Sequence, residues 1–244
     1  MNKIVSTLQD AIADISDGAT IAIGGFFAAG VPRALLRALI ARRVRRLTLA
    51  CGAGPLLGAQ AELDELVANG QIAKVIDSYA LFRSATKGLQ HAFEQQVRAG
   101  MIELEIHPMG TLAEKYRAAG AGIPAFFVST GAGSKVEDSR LTNRHEHRQP
   151  KEVRVIDGRR CMLEHALQPD YAFVHAASAD ADGNLRYRKT ARNFNHVMAM
   201  AARTTIAEVE RIVEPGDADT VHTAGIFVQR VVHVPREAVQ IPQL

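Results

Sequence analysis

Tryptophan is absent from the 244 residues, cysteine occurs twice, and aromatic residues amount to 5%. Cys51 and Cys161 lie far apart with no CxxC pair, which excludes a disulfide framework and fits reduced thiols in a cytoplasmic protein. Long apolar runs are missing too. The longest candidate, Ile21 to Val31, is broken by Gly24, Gly25 and Gly30, short of the roughly 18 residues a membrane span needs. The start of the chain carries Asp10 and Asp14 inside an amphipathic pattern, unlike a secretory signal. No membrane association is expected, and a cytoplasmic location is.

Several catalytic signatures are absent as well. No GxGxxG fingerprint and no GK[ST] phosphate loop occurs, nor does a nucleophile elbow or a metal-ligand cluster. A pI near 9.0 and a net charge of +3 raise the question of nucleic acid, but the location of the cations answers it. Arg42, Arg43, Arg45 and Arg46 follow the apolar stripe Leu35, Leu36, Leu39, Ile40, where cations complement a helix carboxyl terminus. The stretch from Arg140 to Arg154, with His145, His147, Gln149 and Pro150, reads as a surface loop. Its two histidines lack the companions a metal site requires.

What is present is a 47% hydrophobic chain long enough to bury roughly 70 to 75% of its unfolded surface in one core. A single domain over 1–244 is the economical expectation. β-rich runs at Thr20 to Ile23, Leu47 to Ala50, Lys74 to Asp77, Ile102 to Ile106 and Ala125 to Val128 alternate with helical stretches. Those stretches are Val5 to Ile15, Arg33 to Ala41, Gly58 to Ala68, His91 to Ala99 and Thr111 to Ala119. The alternation predicts an α/β fold, an open parallel or mixed sheet with helices on both faces. Further along, Asp157-Gly158 favours a hairpin between Val153 to Ile156 and Cys161 to Leu163. Strands over Tyr171 to His175, Leu185 to Arg188, Thr204 to Val213 and Phe227 to Val234, with a helix from Ala191 to Ala202, complete the expectation.

Three glycine-bearing turns follow predicted strands. The first, Gly24-Gly25-Phe26 through Gly30 to Pro32, lets backbone amides approach a ligand and then starts a helix; a tight strand-to-helix turn explains it equally well. The second is His107 to Gly122, which opens with Pro108-Met109-Gly110-Thr111 and again ends a strand and begins a helix. The third is Gly131-Ala132-Gly133 within Ser129 to Ser134. On one edge of one sheet, the three would form a pocket floor of amides, where ligands of open α/β sheets collect. Cys51, in Ala50-Cys51-Gly52, reads as a packing thiol or, less readily, as a reactive one. Arg186, Arg188, Lys189 and Arg192 read as an anion site or as a salt-bridged edge.

Together these segments resemble the A (alpha) chain of family I CoA-transferases of the 3-oxoacid type. The resemblance rests on Asp17-Gly18, Ile21 to Ile23, Gly24-Gly25-Phe26, Gly30 and Pro32. It is reinforced by Gly110-Thr111-Leu112-Ala113-Glu114, by Gly120 to Phe126, by Asp182-Gly183-Asn184 and by Arg192-Asn193-Phe194. It implies the CoA-transferase, NagB/RpiA-like fold and a divided active site. In such enzymes a glutamate of the partner B chain attacks an acyl-CoA such as succinyl-CoA and becomes a glutamyl-CoA thioester. CoA then passes to a 3-oxo acid. The oxyanions formed on the way need fixed donors. No cofactor is implied, since CoA is a substrate, and the implied assembly is an A2B2 heterotetramer.

The resemblance places Met109 and Gly110 on the oxyanion side. The candidate substrate and CoA contacts are Gly24, Gly25, Phe26, Gly30, Cys51, Gly52, Thr111, Gly131, Ala132 and Gly133. Three positions depart from the family pattern: Met109 replaces a glutamine, Cys51-Gly52 replaces an asparagine pair, and Ala132 replaces an aromatic. A larger or less polar 3-oxo acid is the expected acceptor. Glu214-Pro215-Gly216 reads as a turn rather than a nucleophile. The alternatives are a hydrolase or carbon-carbon lyase on the same fold and a non-catalytic ligand-binding regulator.

Overall fold

The computed structural model describes residues 2–79, 92–138, 141–144, 146 and 150–235. β1 (Ile4–Val5) precedes a short helix α1 (Leu8–Ala11), whose Thr7 cap accepts the Asp10 N–H. The helix expected from Val5 is therefore shorter, because Thr7 starts it and Ile4 and Val5 pair in a sheet instead. A strand and helix succession follows: β2 (Thr20–Ile23), α2 (Arg33–Arg42), β3 (Leu47–Ala50), α3 (Pro55–Gly58), α4 (Gln60–Ala68) and β4 (Ile72–Asp77). It continues with α5 (Ala92–Arg98), β5 (Glu103–Ile106) and α6 (Met109–Gly120). His91 of the expected fourth helix lies outside the described residues.

The chain then leaves this pattern. β6 (Ala125–Val128), α7 (Lys135–Asp138), β7 (Leu141–Thr142), β8 (Val153–Ile156) and β9 (Arg159–His165) come next. The last elements are β10 (Tyr171–Ala176), β11 (Ser178–Ala179), β12 (Leu185–Arg186), α8 (Asn193–Ala201), β13 (Thr204–Val209) and β14 (Arg230–His233). A 3-10 turn over Lys189–Arg192 leads into α8, and another over Gly225–Phe227 shortens the expected final strand.

The main sheet runs β1-β14-β13-β10-β2-β3-β4-β5-β7. Every neighbouring pair is parallel except β5 with β7. The carboxyl ends of β2, β3, β4, β5, β10 and β13 consequently share one edge. Period-two alternation sorts the residues by size. Ile21, Ile23, Leu49 and Phe173 face the α2 and α4 side, packed with Leu35, Leu36, Leu63 and Leu66. Ala22, Ala50, Ala172 and Ala207 face α6 and α8, with Leu112, Tyr116 and Met198. Arg33 on α2 locks to Glu62 on α4 through Nε at 3.0 Å and Nη2 at 2.8 Å, both side chains buried.

Two expectations are corrected. β6 does not join the main sheet; it pairs antiparallel with β9, which pairs with β8 in a separate three-stranded sheet. The outer edge of β5 is already taken by β7. The basic stretch from Arg140 is also less loop-like than expected: Thr142 is buried, and Asn143 accepts the Leu104 N–H at 2.8 Å and donates to Val97 and Ile102 carbonyls. His145 and His147 lie outside the described residues. Arg42 bonds the Ile15 carbonyl at 2.9 Å and the Ala13 carbonyl, serving the loop after α1.

Candidate active-site edge

The first glycine turn is filled from within. A Cβ on Gly24 would stand 1.9 Å from Asn195 Oδ1, and one on Gly30 would stand 2.7 Å from the Ala191 carbonyl. Gly25 holds φ +117 with Val31 2.8 Å from its missing Cβ, so chain geometry and packing both require glycine there. Asn195 is fully buried. It accepts the His175 N–H at 3.0 Å and donates to the carbonyls of Gly30 and Ala191. The amides of Gly24, Phe26 and Phe27 donate to Phe173, Ala29 and Ala53. A side chain on Gly24, Gly25 or Gly30 would thus collide with the α8 segment or with the turn itself, while the amides of Gly25 and Gly30, unlike that of Gly24, meet no acceptor among the described residues.

Gly52 repeats the pattern on the next strand: its missing Cβ would lie 2.4 Å from the Phe194 ring. Cys51 is fully buried, and burial, aided by the neighbouring Asp77 charge, pushes its thiol well above its ordinary value. That is the packing reading of the Cys51 side chain, and Gly52 makes room for the Phe194 ring. Below them, Tyr116 on α6 donates to the Cys51 carbonyl at 3.0 Å.

Asp77 closes β4 and belongs to no motif in the sequence. Its carboxylate accepts amides of Gly54 at 3.2 Å and Ser78 at 2.7 Å, which shapes the turn after β3. Burial raises it to about 7 against the pull of those amides. Its only sequence signal is an acid at the end of an apolar strand.

The second turn is open. Pro108 provides no side-chain cap to the twelve-residue helix α6. Among the described residues the N–H groups of Met109, Gly110 and Thr111 find no acceptor, as the first turn of a helix requires unless something outside it supplies one. Met109 is 44% exposed. A Cβ on Gly110 would meet nothing within 4 Å, and its φ is not left-handed. Glycine there satisfies no packing or backbone need and weakens a helix, so the space above it is the feature to explain. Thr111 is buried with its hydroxyl unpartnered. Phe26, 39% exposed, and Tyr79, 43% exposed, stand at the ends of β2 and β4. Phe27 bridges them, its ring 5.5 Å from Phe26 and 5.7 Å from Tyr79.

The third turn is a correction. Gly131, Ala132 and Gly133 follow β6 in the small sheet, so they do not share the edge of the other two turns. Gly131 and Gly133 hold φ +83 and +76, and the Gly133 N–H donates to Glu137 of α7 at 2.5 Å. The turn therefore closes on its own helix.

The cationic cluster divides. Arg188 pairs with Glu210 at 2.7 Å, which in turn lies 3.5 Å from His175. Arg186 donates to the Asp217 carbonyl at 3.4 Å and, with Arg192, depresses the proton affinity of His222 beyond the effect of its burial. Glu214-Pro215-Gly216 falls in an exposed irregular segment, in keeping with a turn. Among the described residues no group of three or more His, Cys, Asp or Glu could hold a metal ion, and no helix is long and apolar enough to cross a membrane.

The parallel sheet carries an open helix start on its carboxyl edge. The chain belongs to the coenzyme A transferase family, whose model matches residues 5–234. It is 42% identical over 250 residues to the A chain of a probable succinyl-CoA:3-ketoacid coenzyme A transferase of Mycobacterium tuberculosis, covering 99% of this chain and 97% of the other. It is 43% identical to the A chain of a 3-oxoadipate CoA-transferase of Pseudomonas putida, covering 96% and 94%. The fold superposes on glutaconate coenzyme A-transferase of Acidaminococcus fermentans with a TM-score of 0.82 at 25% identity, covering 97% and 77%. It also superposes on a variant of the decarboxylase AibA/AibB with a TM-score of 0.76 at 28% identity, covering 99% and 87%.

Proposed function

We propose that this chain is the A chain of a CoA-transferase that moves CoA from an acyl-CoA such as succinyl-CoA to a 3-oxo acid. The observation that carries the reading is the uncapped start of α6, where Gly110 leaves room above unbonded amides. Such amides stabilise the oxyanion that develops when a thioester or anhydride carbonyl is attacked. The nucleophilic glutamate belongs to a partner B chain, and CoA is a substrate rather than a cofactor. Relatives named as the A component of two-chain enzymes support that division of labour. Phe26, Tyr79 and Met109, exposed apolar residues on the same edge, suit a face covered by that partner. An A2B2 assembly in the cytoplasm follows from the same reading.

The covalent relay works by splitting one exchange into two half-reactions of two acyl transfers each. The partner's carboxylate displaces CoA thiolate and forms a mixed anhydride; the thiolate then attacks the glutamyl carbonyl and releases the first acid. The acceptor acid reverses these steps. In each, negative charge on a carbonyl oxygen is met by the Met109, Gly110 and Thr111 amides. Met109 supplies no side-chain donor, so the backbone carries this role, and its thioether favours a larger or less polar acid than acetoacetate. Combining both chains with succinyl-CoA and a panel of 3-oxo acids tests the proposal. Exchange with at least one acid supports it, and none overturns it.

A second reading, a carbon-carbon lyase, draws on one observation: the similarity to the AibA/AibB decarboxylase. A partner lacking the nucleophilic glutamate would favour it.

A further inference from the structure

A cavity of about 380 Å3 opens between the main sheet and the three-stranded sheet, within the size range of small-molecule sites. It is lined by β4, β5 and α6 on one side and by β9 and the segment before β8 on the other, and it shares no residue with the Met109 to Thr111 start of α6. Among its polar residues Glu105, His107, Lys115 and Glu164 are buried, and Lys74 and Lys151 are half-buried. Glu164 accepts from Lys115 at 3.0 Å through one oxygen and from Lys151 through the other. Glu105 meets Lys74 at 2.6 Å and His107 Nε2 at 2.7 Å. Lys74 also reaches Glu103 at 3.2 Å.

The hydrogen-bond inventory is unbalanced. Glu105 and Glu164 each have both oxygens engaged, whereas every lysine ammonium carries three N–H donors. These contacts leave donors over on Lys74, Lys115 and Lys151. His107 is 2% exposed and its Nδ1 has no partner. An unpartnered buried polar atom is costly, and a bound carboxylate would take up the spare lysine donors. Glu105 is held ionised: burial opposes its charge, but His107 and Lys74 outweigh that effect. His107 meets that carboxylate through Nε2, and its Nδ1 stays buried without a partner. Ile76, Leu163 and Leu167 supply an apolar wall beside these groups.

We propose that this cavity binds a small carboxylic acid, its carboxylate on Lys115 and Lys151 and its hydrocarbon against Ile76, Leu163 and Leu167. The proposal stands independently of the CoA-transfer reading. A bare inorganic anion would leave the apolar wall unused, and an amine would meet lysines. Because Lys115 lies on α6 and His107 leads into it, an occupied cavity braces the helix that carries the open amides.

Calorimetric titration and thermal melting of the full chain with butyrate, succinate, inorganic phosphate and butylamine test this. The expected result is that a carboxylate binds and raises the melting temperature, while phosphate binds at least tenfold more weakly and butylamine does not bind. Lys151→Met should weaken carboxylate binding at least tenfold. Leu167→Trp, which fills the cavity without removing charge, should abolish it. Gly110→Ala should leave it unchanged, which separates this site from the sheet edge. Absence of carboxylate binding at millimolar concentration overturns the proposal. So does phosphate binding of equal strength, or carboxylate binding that survives both cavity variants.

Discussion

The ring of Phe194 occupies the space that a side chain on Gly52 would need, with 2.4 Å between the ring and the missing Cβ. A glycine that looks like a ligand contact in sequence is thereby a seat for α8. The same holds for Gly24 under Asn195. Because Phe194 and Asn195 are adjacent, one helix start holds the turns after β2 and β3 together.

Substitution distinguishes such a seat from a ligand contact. Gly52→Ala should destabilise the chain by about 1–3 kcal/mol through overpacking, measured by chemical unfolding. Phe194→Ala alone should cost about 3–5 kcal/mol. The double variant should lose less than the sum, because the ring that clashes is gone. Strict additivity would separate the two residues.

Gly110 is predicted to behave in the opposite way. Alanine there meets no neighbour and should leave stability unchanged or raise it by up to about 1 kcal/mol. CoA transfer by the assembled enzyme should nevertheless fall, by up to the roughly 10² to 10³ typical of a lost oxyanion contact. A fully active Gly110→Ala enzyme would remove the functional reason for glycine at this position.

Asp77 gives a pH signature. Its carboxyl is raised by burial to about 7 in the folded chain from an ordinary value of 3.8. Between those values the folded state keeps a proton that the unfolded state has lost. Stability therefore declines as pH rises from about 4 to about 7, by at most about 4 kcal/mol from this residue. Asp77→Asn should show a flatter stability profile over that window. Parallel profiles for the two proteins would contradict the assignment.

Met109 is predicted to tune the acceptor. Met109→Gln adds a side-chain donor beside the open amides, so turnover of small 3-oxo acids such as acetoacetate should rise several-fold. An unchanged or lower rate in the two-chain assay would count against Met109 as an oxyanion-side residue.

The main sheet is legible in the sequence because Ile21, Ile23, Leu47 and Leu49 alternate with smaller or polar residues, and glycines mark the strand ends. Local pattern is enough there. It is not enough for β6, whose four apolar residues pair equally well with any strand; the choice falls to β9 because β7 blocks the edge of β5. β1 and β7, two residues each, carry too little periodicity to read. At the site, the helix start at Met109 to Thr111 is legible from Pro108 and Gly110. The purpose of Gly24, Gly30 and Gly52 is not, since the groups they admit lie far along the chain in α8 and just before it. Lys115, Lys151 and Glu164 are likewise hidden, because only the fold brings α6 and the small sheet together.

If this chain supplies the oxyanion side while its partner supplies the nucleophile, the covalent intermediate must reside on the partner. Incubating the paired chains with succinyl-CoA and taking intact masses of both tests this directly. The predicted result is a CoA thioester adduct on the partner alone, discharged when a 3-oxo acid is added. An adduct on this chain, or none on either, would contradict it.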